Sequence, residues 1–446
     1  MKLSEEQLFK GYWWLPDNPD NKVAGVLTYI PGEKICLELL GGFENEEGEY
    51  IGLFDEDNKN IPLIYGKDSG AKEISLVDCY SSFVLNFSAD FPMMSYSARM
   101  LVHDKHIGAI DEICDYTAYV RFPELSQWAP PGAIEQIVSF DPEEKEVSSS
   151  TFVLPSLRGE EGVIFSVTCE NGVQVSVFKG IAYSSGDLLL KPDLEQFSYL
   201  EIKRPGIGMS IPEIFSELKK FQQFLSLATK RTVQIESIYL KDPAIRQDFQ
   251  DGQKSFYFPI YLLAVQRPVF SPAKLNRDIF LFRYEDMPDR IPDLLAKWMS
   301  DSDNLQPIKN HLVDSLVYKP VVGSVDFLQV IQAIEGVWWR FREDTYRAVN
   351  NIPKRKKTSL TTIIKEITKA FGDIPSVSSM NLDVESVVDS RNYYSHFVDK
   401  SKKPKTLDGL QLYNLTRQIR TILLCLVLEL LGLTHPEINN ILSRQR

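Results

Sequence analysis

The sequence predicts an α+β multidomain chain: a β-sandwich-like domain over residues 1–205, a mixed α/β connecting region over 206–322 and a four-helix up-down bundle over 323–446. Three observations carry this. Short β-branched and aromatic runs punctuated by turn residues fill the first part, apolar residues recur at helical spacing from about Ser324 onward, and charge is segregated between the two ends. A chain of 446 residues can form two or three domains whose cores need no covalent staples.

The strand-like runs are Lys22 to Ile30, Lys34 to Leu40, Tyr50 to Phe54, Phe83 to Phe87, Tyr116 to Phe122, Val163 to Thr168 and Val173 to Phe178. Pro31-Gly32, Pro130-Pro131-Gly132 and Asn171-Gly172 separate them, and the Asn-Gly pair between two alternating runs is a strong hairpin signal. Many short strands with almost no helical periodicity suit a sandwich or barrel-like domain. In the connecting region Ser210 can cap a helix with Pro212 in its first turn, and strands recur at Thr232 to Leu240 and Ser255 to Leu263. Helices are expected near Ile291 to Met299 and Pro307 to Val317.

Four helices then follow, over Val325 to Asn350, Thr358 to Phe371, Leu382 to Asp399 and Leu407 to Leu431, with short polar connections that suit an up-down bundle. On the first, Phe327, Val330, Ile331, Ile334, Trp338 and Phe341 form an apolar stripe with Glu335 on its border beside Arg342. The run Ile422 to Leu428 is too short for a membrane span and reads as a buried helix.

The net charge of −12 hides an asymmetry. Residues 337–446 carry 18 Lys+Arg against 11 Asp+Glu, so the remainder is strongly acidic. A basic end can meet phosphates, whereas an acidic remainder repels non-specific nucleic acid. The alternative for Lys354-Arg355-Lys356-Lys357 and for Lys400 to Lys405 is a pair of solvated loops. Five widely spaced cysteines among apolar neighbours argue for reduced core thiols in a cytoplasmic protein, and the amino terminus lacks the apolar core of a signal peptide.

Arg391-Asn392-Tyr393-Tyr394-Ser395-His396 on the third bundle helix is the segment that carries chemistry. Val384, Val387, Val388, Tyr394 and Val398 cluster on one side with Arg391 among them, so a core-facing guanidinium needs a carboxylate, for which Glu335 is the natural partner. At about 100° per residue His396 projects about 140° from Arg391, above Asn392, Asp389 and Glu385 on a polar face. Other spots are weaker. His103-Asp104-Lys105-His106 has poor geometry for a metal, Gly206-Ile207-Gly208 lacks a phosphate loop's context, and Trp13 and Trp14 read as core anchors.

An Arg, four intervening residues and a His on such a helix resemble the HEPN superfamily. Phe9-Lys10-Gly11-Tyr12-Trp13-Trp14-Leu15-Pro16, Val23 to Leu27, Leu37 to Gly41, Ile51-Gly52 and Ile74 to Cys79 look like the opening of ApeA-type anti-phage proteins, in which a β-rich domain precedes an Apea-like HEPN domain. The resemblance covers essentially the whole chain. It implies an endoribonuclease of abortive-infection defence, cutting RNA, with tRNA the expected target. His396 would move protons as the ribose hydroxyl attacks its adjacent phosphate, Arg391 would hold the developing charge, and Asn392 would orient the ring or bind phosphate. No metal or other cofactor is required, since RNA carries its own nucleophile. The superfamily also implies a homodimer, with the Tyr393/Phe397 edge, Ser386 and Ser390 as the pairing surface, and a phage-derived trigger. The alternative is a non-catalytic HEPN module that docks a nucleic acid or protein partner.

Overall fold

The computed structural model describes residues 1–44, 50, 60–82, 93–140, 147–154, 157, 159–183, 194–248, 255–257, 259–265, 280–300, 304–317, 323–353 and 357–444. The expected strand over 83–87, most of that over 50–54 and the basic residues 354–356 lie outside them. The chain divides into two compact units, one of residues 1–219 and 234–272, the other of 220–233 and 273–446.

In the first unit β1 (Gln7–Leu15), β2 (Asn18–Ile30), β3 (Lys34–Leu40), β4 (Asn60–Asp68), β5 (Glu73–Ser82) and β6 (Met93–His103) pair in the order β6-β3-β2-β1-β4-β5. The last of these, β5, pairs back onto β6, so the six strands close into an antiparallel barrel. The expected β-rich domain is therefore present, and its closure is that of a barrel. Closure fixes where Trp13 can go. Its ring is fully buried over Gly66, where an added Cβ would approach within 2.2 Å of the ring. Only glycine fits beneath it.

The length of β6 joins the barrel to the rest of the sheet. Its first half pairs with β3, while residues 100–103 pair on the same side with a later strand over residues 261–264. The extension comprises β7 (Thr117–Arg121), the single turn α1 (Leu125–Trp128), a separate hairpin of β8 (Glu135–Phe140) and β9 (Val147–Val153), then β10 (Val163–Thr168), β11 (Gln174–Tyr183) and β12 (Leu194–Lys203). After α2 (Ile211–Thr229) come β13 (Ser237–Lys241), the small pair β14 (Arg246–Asp248) and β15 (Ser255–Tyr257), and β16 (Ile260–Ala264). The Asn171-Gly172 turn connects β10 to β11 as expected, with Gly172 at φ 78°.

The second unit holds α3 (Ile291–Met299), α4 (Gln306–Leu316), α5 (Ser324–Val337), α6 (Glu343–Asn350), α7 (Leu360–Ala370), α8 (Pro375–Ser378), α9 (Val384–His396), α10 (Gly409–Leu430) and α11 (His435–Ser443). Helices α4 and α10 pack on α5, and α9 packs on α5 and α7. The run Ile422 to Leu428 is at most 4% exposed throughout, as its lack of any polar face requires. No helix among the described residues is long and apolar enough to cross a membrane.

Between α5 and α6 the chain makes a π-helical turn, Trp338–Arg342. Phe327, Val330, Ile331, Ile334 and Trp338 are at most 2% exposed, so the expected stripe holds to that point. Phe341 was expected to continue it and is instead 38% exposed. The wider π turn shifts the register, and buried Glu343 takes the inward place. Its carboxylate accepts hydrogen bonds from the Trp338 indole, the Arg347 guanidinium and, at 2.9 Å, the Thr358 hydroxyl.

Candidate nuclease site

The helix that carries the site, α9, starts at Asp383, whose carboxylate accepts from the backbone N–H of Glu385 at 3.0 Å and of Ser386 at 3.4 Å. Its buried edge is Ser386, Val387 and Ser390. Sequence periodicity placed Arg391 within an apolar stripe. In the structure Val384, Val388, Tyr394 and Val398 are only half-buried, and Arg391 lies on the flank of the buried edge. The reason is the segment that follows the helix. Ser390 is small enough to let residues 400–407 fold back, and its Oγ accepts from the Leu407 N–H at 3.0 Å while the Tyr394 hydroxyl donates to the Leu407 carbonyl at 3.0 Å. Ser386 and Ser390 are thus consumed inside the chain, which removes them from the expected pairing surface.

The same fold-back disposes of most of the basic run. Lys403 meets Asp389 at 3.2 Å, Lys405 meets Glu385 at 2.6 Å, and Lys400 meets Asp408 at 2.8 Å. The Glu385 carboxylate holds the Lys405 ammonium above its ordinary range. These lysines fasten the loop to α9 and α10 and leave little charge for phosphate. Lys402 has no carboxylate partner among the described residues.

Arg391 and His396 come together. One guanidinium nitrogen of Arg391, Nη2, lies 3.4 Å from Glu335 Oε1 on α5, and the other, Nη1, contacts His396 Nε2. The backbone directions do differ by about 140°, yet the side chains converge. His396 is the last helical residue, because Phe397 turns into the left-handed region at φ 52°. Its ring leans back over the final turn, as helical side chains do, and the long Arg391 stem closes the remaining gap. Since a guanidinium only donates, His396 Nε2 is the acceptor in this contact. Arg391 and Glu335 are half-buried, while His396 is exposed. Asn392 is half-buried and makes no side-chain hydrogen bond among the described residues, so Arg391 is what the histidine ring meets.

A second cluster gave no sign in the sequence, because its members lie far apart in the chain. His435 Nδ1 is 2.8 Å from Asp373, its Nε2 is 3.6 Å from Glu429, and Glu429 also accepts from Arg342. The hydrogen bond to His435 holds the Asp373 carboxyl below the usual carboxylate range. The two histidines of the β-rich unit serve different partners. His103 sits between Asp104 at 2.7 Å and Asp68 at 3.7 Å, whereas His106 stacks on Tyr65 and reaches the Gly66 carbonyl at 2.9 Å. No group of three or more metal-ligating side chains occurs among the described residues.

A β-rich part followed by a helical unit whose α9 joins an arginine, a histidine and a neighbour's carboxylate describes a HEPN-type defence protein, and the Apea-like HEPN family model matches residues 328–437. The model for ApeA N-terminal domain 1 matches residues 8–298, taking in the barrel, its extension and α2. The chain belongs to the ApeA family. Comparison with curated proteins and with solved structures gave no match.

Proposed function

We propose that this protein is a cytoplasmic, metal-independent endoribonuclease that cuts RNA, with tRNA the expected target, to stop phage propagation. The observation that carries the reading is the convergence of Arg391, His396 and Glu335. The 2′-hydroxyl of a ribose attacks the adjacent phosphorus, and the bond to the 5′-oxygen of the next nucleotide breaks. His396 Nε2 takes the 2′ proton, and the resulting imidazolium returns a proton to the departing 5′-oxygen. An incoming phosphate draws the Arg391 N–H donors to itself, which frees His396 Nε2 to act as the base. Glu335 would position the guanidinium, and Asn392 would orient the ring or bind phosphate.

Two protomers would pair their α9 helices along the Tyr393/Phe397 edge, where Phe397 is 89% exposed. The β-rich part would sense a phage-derived trigger or restrain the nuclease. The test is purified protein incubated with total RNA in chelator, then probed for fragments ending in cyclic phosphate. Cleavage that His396→Ala abolishes supports the reading, and equal cleavage by the variant refutes it.

The Arg391–Glu335 ion pair favours a second reading, a non-catalytic module in which Arg391 serves structure alone. In that case Arg391→Ala lowers stability by a few kcal/mol, while His396→Ala leaves phage protection intact.

A further inference from the structure

The helical unit contains a pocket of about 160 Å³ lined by Ser324, Tyr394, Gly409, Leu412, Tyr413 and Thr416. This is far below the roughly 300 Å³ at which pockets for whole small molecules begin, so it suits one flat ring. Two of its lining residues are tyrosines. Tyr394 stands three residues after Arg391 on α9 with its hydroxyl fixed on the Leu407 carbonyl, and Tyr413 on α10 is 38% exposed.

Beyond Tyr413, Arg417 and Arg420 follow four and seven residues on, along the same side of α10. Arg417 is exposed and has no carboxylate partner among the described residues. Arg420 is half-buried, and its Nε is buried without a hydrogen-bond partner. The Asp326 carboxylate acts on Arg420 through its charge and accepts from the Gly323 N–H at 2.9 Å, and no ion pair joins Arg420 to a carboxylate among the described residues. An aromatic slot followed by two guanidiniums not spent on ion pairs is what single-stranded nucleic acid needs, with a base against the ring and phosphates on the cations.

We infer that this slot takes one unstacked base of the RNA, with Arg417 and Arg420 on neighbouring phosphates. The identity of the ligand rests on the ribonuclease reading above. Ser324 is eleven residues from Glu335 on α5, but Tyr394 is only three residues from Arg391 on α9, about 4.5 Å along the helix axis, so the slot lies next to the reacting pair and its base belongs to a nucleotide beside the scissile phosphate. The slot then contributes sequence preference while Arg391 and His396 do the chemistry.

Val325 and Leu410, next in sequence to the lining residues Ser324 and Gly409, are 66% and 74% exposed, and a second copy of the chain could cover them. The experiment separates the two occupants. On the His396→Ala background, which suppresses cleavage without touching the slot, anisotropy is measured with short single-stranded RNA and with the same RNA made abasic at single positions. Tyr413→Ala should weaken binding about tenfold and Tyr413→Phe should restore it. Arg417→Ala should reduce the slope of log affinity against log salt by about one. One abasic position should weaken the parent but not Tyr413→Ala. Binding unaffected by Tyr413→Ala, a change in light-scattering mass alone, or no RNA binding by the parent overturns the inference. Base-dependent binding without cleavage in the His396-intact chain retires the nuclease and keeps the slot, whereas cleavage with Tyr413-independent binding does the reverse.

Discussion

The guanidinium of Arg391 is shared between Glu335, 3.4 Å away on α5, and the ring of His396 on its own helix. One arginine therefore ties the site to the bundle and holds the histidine. Arg391→Lys should separate these duties. A lysine can still pair with Glu335 but cannot fork between two partners. The unfolding midpoint should shift by less than that of Arg391→Ala, while cleavage falls at least about 100-fold. Calorimetry and a fluorogenic RNA assay on the three proteins check this.

His396→Ala should be silent in stability. The residue is exposed at a helix end, where substitutions change stability by about 0.5 kcal/mol or less. Loss of a general acid–base costs about 100-fold or more in rate. Urea unfolding and single-turnover cleavage measure the two sides, and a large loss of stability would show that the ring serves packing.

Phe397 is held at φ 52° with 89% of its surface exposed. A non-glycine residue in the left-handed region carries a cost of about 1 kcal/mol. Phe397→Gly should raise stability by about that amount, so selection for the fold does not explain the phenylalanine. Phe397→Glu should leave the fold intact, lower self-association by light scattering, and silence cleavage because the charge would recur on both faces of a two-fold interface.

Glu343 sets an acid limit for the helical unit. Burial pushes its carboxyl up, but the hydrogen bonds from Arg347, Thr358 and Trp338 outweigh this and hold it below the usual carboxylate range. A depressed folded-state value gives stability that is complete above the unfolded pKa, about 4.3, and is lost as pH falls through the folded value. Thermal midpoints should therefore drop below about pH 4.3. Glu343→Gln should lower the midpoint at neutral pH and flatten the acid slope.

The sequence by itself determined the β-rich beginning, the Asn171-Gly172 hairpin, the helical stretches of the second unit other than α8 and α11, and the pairing of Glu335 with Arg391. Each follows from local rules: alternation or helical spacing of apolar residues, turn chemistry, and the need of a partly buried charge for a partner. What periodicity could not supply was the closure of β5 onto β6, because strand pairing across the chain is decided by which edges meet. Nor could it supply the π turn after α5, which moved Phe341 outward and Glu343 inward through hydrogen bonds to Trp338, Arg347 and Thr358. The convergence of Arg391 and His396 was likewise a tertiary outcome. Helix angles alone place them about 140° apart, and only the end of α9 at Phe397, together with the anchor at Glu335, brings the two side chains into contact. Residues 400–407 illustrate the same limit, since a basic run in sequence became a strap of ion pairs once Asp389, Glu385 and Asp408 lay within reach.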